Sequence, residues 1–104
     1  MRVRLIPEAE ADVAEILVWY SQRGATLGTE FLAAFSDVVR QIEQFPESAA
    51  VVHPPFRRAL LRRFPYCAFY FVESSEAVVV GCFHAHRDPS APTSVRHPMG
   101  LSSL

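Results

Sequence analysis

Lysine is missing from this 104-residue chain, and all ten of its basic residues are arginines. The protein therefore has no flexible ammonium groups, and its positive charge lies on planar guanidinium groups that stay charged at physiological pH. Any reaction that depends on lysine side chains is excluded.

Cysteine and long apolar runs are also scarce. Cys67 and Cys82 are too few for a disulfide framework, and we expect both to be small buried side chains. The longest apolar run, residues 66–72, has seven residues, whereas a membrane-spanning helix needs about 20. Because the N-terminus turns acidic before an apolar segment develops, no signal peptide is expected. These features favour a cytosolic protein without membrane contacts.

Apolar side chains, by contrast, are abundant for so short a chain. They make up 50% of the residues, and the mean hydropathy is +0.13. A chain of this length forms one domain and buries roughly 60 to 68% of the surface it exposes when unfolded. The sequence therefore predicts a single domain over residues 1–89, an irregular tail over residues 90–104, and an exposed apolar patch that a partner protein covers.

Charge is divided unevenly between the two halves of the chain. Residues 1–50 hold eight acids and four arginines, a net charge of −4, whereas residues 51–104 hold three acids and six arginines, a net charge of +3. Four of those arginines lie in RRALLRRF, residues 57–64, directly before an aromatic run. This segment is either a phosphate-binding site or the charged approach to a buried strand.

The hydrophobic pattern of the first half predicts a strand and two helices. MRVRLI alternates apolar and basic residues, as a strand with one solvated face does. Apolar residues from Ala9 to Tyr20 follow a helical period, acids load the first turns, and this helix should end near Gly24. Between Thr26 and Phe45 the apolar spacing alternates between three and four, so a second helix should pack on the first as an αα-hairpin.

After a proline-rich connector at residues 46–56, the hydrophobic period changes to two. Strands are predicted at residues 58–64, 66–73 and 76–86, with a turn at Ser74–Ser75. The last two strands are apolar on both faces, so they should be central strands covered by the helices on one side. The predicted fold is α+β: a strand, an αα-hairpin and a three-stranded antiparallel meander, in the order β-α-α-β-β-β.

Four segments along the chain carry a family signature. They are A-x-x-D-V-x-E-I at residues 9–16 followed by Trp19 and Tyr20, the second helix at residues 31–46, L-x-R-F-P-Y at residues 61–66 with Tyr70, and VGCFHAHRDP at residues 80–89. In this order they resemble the ParE branch of the RelE/ParE toxins, from about residue 3 to residue 89. The resemblance implies the toxin of a bacterial type II toxin–antitoxin pair, which forms a hetero-oligomer with its antitoxin and uses no cofactor.

The RelE/ParE family contains two kinds of toxin, and the resemblance favours one of them. RelE-like members cleave messenger RNA on the ribosome with lysines, arginines and a C-terminal tyrosine or histidine, whereas ParE-like members poison DNA gyrase without a recognised catalytic set. Because this chain has no lysine and no tyrosine after Tyr70, a gyrase-binding protein is favoured over an enzyme. In the ribonuclease alternative, phosphate binding and proton transfer would fall to Arg62, Arg63, Arg87, His84 and His86. A non-toxic binding module of the same fold is the third interpretation.

Arginines near the strand ends are the first candidates for binding the target. Arg57, Arg58, Arg62 and Arg63 alternate faces along one predicted strand, so they cannot all line one groove, and charge on an edge strand explains them equally well. The functional interpretation selects Arg63 and Arg87. If adjacent strand ends meet, these two present a cationic patch to gyrase or nucleic acid.

His84 and His86 complete the candidate target-binding set. Strict alternation places them on the strand face that carries Val78, Val80 and Cys82. A strand-end polar pair is the simplest interpretation, and contact with a partner or nucleic acid is the next. A metal site built from both histidines and Asp88 is not expected, since no second ligand cluster exists.

Trp19 is the candidate anchor for the antitoxin. It lies off the apolar stripe of the first helix, beside Val18 and one turn before Arg23. An amphipathic antitoxin helix laid over the αα-hairpin would bury this aromatic side chain.

Overall fold

The described part of the chain, residues 1–86 of a computed structural model, folds into two helices and one five-stranded sheet. The elements are β1 Arg2–Leu5, α1 Pro7–Ser21, α2 Leu27–Gln44, β2 Ala50–His53, β3 Phe56–Leu60, β4 Tyr66–Glu73 and β5 Glu76–His84. The strand order is β1-β5-β4-β3-β2, with β1 parallel to β5 and every other pair antiparallel. The predicted α+β fold with its αα-hairpin and three-stranded meander is confirmed.

The two helices lie close to their predicted bounds. Pro7 occupies the first turn of α1, where its missing N–H costs no hydrogen bond, and Glu8 and Glu10 complement the positive end of the helix dipole. In α2, Phe31, Phe35, Val38 and Ile42 form the buried stripe. Neither described helix is long and apolar enough to cross a membrane.

The main core lies between the helical hairpin and one face of the sheet. Ile16 from α1, and Phe31 and Ile42 from α2, pack with Tyr70 and Val79 from the sheet, and each is at most 1% exposed. Burying an aliphatic or aromatic side chain of this size contributes about 1.5 to 3 kcal/mol. This contact fixes the hairpin on the sheet.

A β-bulge at Val80 changes which residues of β5 share a face. Phe69 pairs with Gly81 but Tyr70 pairs with Val79, which leaves Val80 as an extra residue. Cys82 and His84 therefore lie on the helix-covered face, whereas Val78 faces the opposite side. The prediction that His84 shares a face with Val78 is wrong, because alternation fails at the bulge, whereas its shared face with Cys82 is confirmed.

The connector contains a strand that the sequence pattern did not indicate. β2 pairs antiparallel with β3, and Pro54–Pro55 forms the turn between them. β3 accordingly begins at Phe56 and ends at Leu60, earlier than the predicted 58–64. Arg62 and Arg63 consequently lie in the β3–β4 loop rather than on a strand.

The second face of the sheet is also apolar. Cys67, Phe69 and Val78 are 3%, 6% and 2% exposed but lie outside the core beneath the helices. Phe56 stacks on Phe69 with ring centroids 5.0 Å apart, and Phe71 lies beside them. Both described helices pack on the opposite face of the sheet. On this second face, the rings of Phe56, Phe69 and Phe71 cover the apolar side chains instead.

Candidate functional site

The β3–β4 loop and the end of β5 meet at one end of the sheet. The Ala85 N–H donates to the Pro65 carbonyl at 2.8 Å, and the Leu61 N–H donates to the Tyr66 carbonyl at 2.9 Å. Arg62 and Arg63 of the loop therefore share this end with His84 and His86, and we call these four residues the strand-end site. Arg87, Asp88 and the predicted tail lie outside the described residues.

Arg63 has a backbone conformation that L-residues rarely adopt. Its φ is 71°, in the left-handed region, which costs about 1 to 2 kcal/mol for a residue with a Cβ. Its Nη2 lies 3.0 Å from Glu30 Oε1 of α2, although the arginine side chain is 68% exposed. The turn thus presents this guanidinium toward α2 and solvent together.

His84 and His86 form a contacting pair beside a buried tyrosine. Their ring centroids are 5.4 Å apart, and the His84 ring lies 5.5 Å from the ring of Tyr66. The His86 N–H donates to His84 Nδ1 at 3.2 Å, so this nitrogen serves as an acceptor. Residues 1–86 contain no group of three or more side chains able to hold a metal ion.

Arg57 and Arg58 have structural roles. They pair with Tyr70 and Phe69 on opposite faces of the sheet, as alternation predicts. Arg57 Nη1 donates to the carbonyls of Glu47 and Ala49 at 2.9 and 2.8 Å, which ties the connector to the sheet. Arg58 Nη1 lies 3.3 Å from the Ala85 carbonyl. Of the four arginines in this segment, only Arg62 and Arg63 are exposed.

A cleft between α2 and the β3–β4 loop adjoins the strand-end site. It has a volume of about 180 Å³ and is lined by Glu30, Ala33, Ala34, Asp37, Arg62 and Arg63. The four α2 residues occupy one helical face. This cleft could not be predicted from the sequence, because it depends on where the loop lies against that face of α2.

A second surface group consists of the exposed Val18 and Arg23 and the partly buried Trp19, and we call it the Trp19 surface. The Arg23 guanidinium carbon lies 3.7 Å from the Trp19 ring centroid, within the range of a cation–π contact, and Arg23 Nη1 donates to the Trp19 carbonyl at 3.0 Å. Val18 is 54% exposed and Trp19 is half-buried. The local packing therefore holds the indole in one orientation.

An aromatic cluster connects the Trp19 surface with the strand-end site. Tyr20 contacts the ring of Trp19 at 5.1 Å, of Phe64 at 4.9 Å and of Tyr66 at 6.3 Å. Tyr66 in turn contacts His84. Partial burial raises the pKa of Tyr20, so its phenol stays protonated well above neutral pH. The spacing along α1 predicted that Tyr20 faces the core. It did not predict that Tyr20 joins the Trp19 surface to the strand-end site through ring contacts.

Asp12 supports β5 from the interior. It is 4% exposed, and the Cys82 N–H donates to its Oδ2 at 3.0 Å. β1 ends at Leu5, which pairs with Val79, so the carboxylate takes over as acceptor where this partner strand stops. A Cβ at Gly81 would lie 2.5 Å from Cζ of the Phe83 ring and 3.2 Å from the same Asp12 oxygen, so a larger residue there would crowd both. The sequence indicated Asp12 as a helix N-terminal acid and as part of the family signature, but it could not show the distant backbone partner of this carboxylate.

Comparison with known proteins identifies the family to which this chain belongs. The family described as the ParE toxin of the type II toxin–antitoxin system parDE matches residues 3–89. The chain therefore belongs to the ParE toxin family, as the resemblance indicated.

A solved structure supports the fold. A chain of the chromosomal ParDE toxin–antitoxin system from P. aeruginosa superimposes with a TM-score of 0.68 at 21% sequence identity, covering 79% of this chain and 92% of that one. None of the curated proteins compared with this chain matches it.

Proposed function

We propose that this ParE-family toxin inhibits growth by binding DNA gyrase and that a cognate antitoxin neutralises it. The contact between Pro65 and Ala85 is the observation that carries the target-binding part of the proposal. It brings an exposed arginine pair and a histidine pair to one end of the sheet, as a cationic surface for a large partner requires. The toxin acts in the cytosol as a binding protein and needs no cofactor.

The charges around the strand-end site favour binding over RNA cleavage. A ribonuclease must concentrate positive charge on one phosphate and place a base and an acid beside it. Here Glu30 is paired with Arg63, and Asp37 lines the same cleft as Arg62. Arg57 is engaged with backbone carbonyls. With no lysine to add charge, these residues suit protein contacts better than phosphoryl transfer.

A supercoiling assay with purified gyrase tests the target. We expect the wild-type chain to inhibit supercoiling and the triple variant Arg63→Ala/His84→Ala/His86→Ala to lose at least 10-fold in potency. Arg2→Ala, an exposed arginine at the other end of the sheet, is the matched control and should inhibit like the wild type. Cleaved transcripts mapped by primer extension, with gyrase unaffected, would instead identify a messenger RNA nuclease. No effect in either assay would identify a non-toxic binding module.

The Trp19 surface is the proposed docking point for the antitoxin. Its indole is held in place by Arg23 and Tyr20 yet remains partly exposed, and such rigid aromatic side chains dominate protein interfaces. An amphipathic antitoxin helix would cover the indole and Val18 together. The resulting hetero-oligomer hides part of the exposed apolar surface.

Trp19→Ala separates binding from folding. We expect antitoxin affinity to fall at least 30-fold, which corresponds to about 2 kcal/mol, while the unfolding free energy changes by less than about 1 kcal/mol. Affinity is measured by calorimetry and stability by urea unfolding. Phe45→Ala, an aromatic residue that is 61% exposed at the far end of α2, serves as the control. Equal losses in affinity and stability would assign Trp19 to the core.

A further inference from the structure

The cleft between α2 and the β3–β4 loop has the form of a receptor for one side chain. Ala33 and Ala34 contribute only methyl groups from α2, so the open volume of about 180 Å³ is bounded by four charged residues. This volume is below the range of about 300 to 1,000 Å³ that is usual for small-molecule pockets. The cleft therefore suits a single side chain that projects from a partner protein better than a free metabolite.

The charges at the cleft leave one arginine without a counter-ion. Glu30 is paired with Arg63, and Asp37 is paired with Arg40. Arg62 is exposed and makes no hydrogen bond or ion pair with any residue in the described range 1–86. Three arginines thus meet two acids, and the unmatched positive charge lies at the cleft.

These charges also distinguish between two kinds of anionic partner. A nucleic acid brings a row of phosphates and needs several free cations, whereas only Arg62 among the cleft arginines has no paired acid within residues 1–86. A protein brings an isolated aspartate or glutamate, which needs only one free guanidinium and can accept two parallel N–H bonds from it. The cleft geometry therefore favours a protein carboxylate.

We propose that this cleft binds one aspartate or glutamate side chain of the antitoxin, with Arg62 as its principal ligand. The proposal rests on the proposed function and adds a second contact at a distance from Trp19. Arg63 maintains the cleft by pairing with Glu30 from its left-handed turn. Because Arg40 pairs with Asp37, both acids that line the cleft are neutralised before the partner arrives. A carboxylate entering the cleft then meets Arg62 with little opposing charge.

Binding to the cognate antitoxin, measured by calorimetry, tests this assignment. Arg62→Gln should weaken the complex about 10- to 100-fold, as expected for a charge-assisted hydrogen bond. Arg62→Lys should recover part of the loss, and Arg2→Gln should bind like the wild type. Each antitoxin acid is then changed to its amide. One of these antitoxin variants should bind the wild-type toxin as weakly as Arg62→Gln binds the unchanged antitoxin. The same antitoxin variant should bind Arg62→Gln with no further loss of affinity. Unchanged affinity in Arg62→Gln, or loss that is additive for every acid, would overturn the proposal.

A second measurement does not depend on the antitoxin. The Arg62 Nε–Hε NMR signal is titrated with N-acetylglutamate methylamide and with a dT12 oligonucleotide. We expect the glutamate compound to shift this signal saturably and the oligonucleotide to shift it less. A larger response to dT12, or no response to either, would contradict carboxylate binding. If the glutamate compound binds and no antitoxin does, the cleft assignment stands and the proposed neutralisation fails.

Discussion

At the residue scale, Arg63 combines an unfavourable backbone with an exposed charge. A positive φ outside glycine persists only where neighbouring contacts enforce it, and such residues concentrate at functional positions. The Phe64-Pro65 sequence that follows leaves little freedom for the turn, and the Tyr66 N–H donates to the Phe64 carbonyl at 2.8 Å to close it. An arginine occupies this position although glycine would fit the turn better.

Comparison of Arg63→Gly with Arg63→Ala measures this backbone cost. Both variants lose the guanidinium and its pair with Glu30, so their difference isolates the backbone. We expect the glycine variant to be more stable by about 1 kcal/mol, because alanine must adopt the left-handed conformation. Urea unfolding provides the measurement. The reverse order, which is usual at ordinary positions, would mean that φ is not positive at residue 63.

The two cysteines give the fold a predictable response to alkaline pH. Burial raises the pKa of Cys67 from 9.0 to about 11, an effect that nearby Arg58 partly offsets. Burial also raises the pKa of Cys82, with further contributions from Cys67 and Asp12. Both thiols therefore hold their protons in the folded state at pH values where the unfolded chain has lost them.

Stability should consequently decrease as the pH rises from 9 towards 11. In this window the unfolded state binds fewer protons than the folded state, so the unfolding free energy decreases with pH. We expect the wild type to lose about 1 to 3 kcal/mol between pH 8 and pH 10.5, measured by urea unfolding. Cys67→Ala should show a shallower dependence, whatever its starting stability. Identical slopes in the two proteins would mean that Cys67 is not responsible.

At the element scale, the helices were predictable and the edge of the sheet was not. The apolar stripe of α2 from Phe31 to Ile42 repeats often enough to predict both ends of the helix within one residue. β2 has four residues and is followed by Pro54–Pro55, so its sequence is typical of a loop, and only pairing with β3 makes it a strand. The bulge at Val80 depends on the register between β4 and β5, which the sequence of one strand alone does not determine.

Arg57 links the connector to the sheet through its two hydrogen bonds to backbone carbonyls. Arg57→Met keeps much of the apolar stem but removes both hydrogen bonds to the carbonyls of Glu47 and Ala49. We expect a loss of about 1 to 2 kcal/mol and faster amide hydrogen exchange in β2 and β3, while β4 and β5 stay protected. NMR-detected exchange tests this directly, with Arg2→Met as the control. Unchanged exchange in β2 would show that strand pairing alone holds the connector.

At the scale of the whole molecule, the candidate surfaces are parts of one packed body. Tyr20 and Tyr66 connect Trp19 to His84 through ring contacts, so the Trp19 surface and the strand-end site have a common support. The sequence identified residues on both surfaces from a family signature. It could not show that the β3–β4 loop meets α2 to form the cleft, since this contact joins residues about thirty positions apart and has no repeating pattern.

The parallel pairing of β1 with β5 determines when the protein can fold during its synthesis. Arg2 pairs with Glu76 and Leu5 pairs with Val79, so β1, which leaves the ribosome first, cannot pair until β5, the last strand in residues 1–86, has been synthesised. α1 packs on β5 as well and waits with it. Contacts this distant in sequence form late, after local hairpins such as β4–β5. A nascent chain that is interrupted before β5 therefore cannot complete the sheet, and incomplete translation yields no assembled toxin.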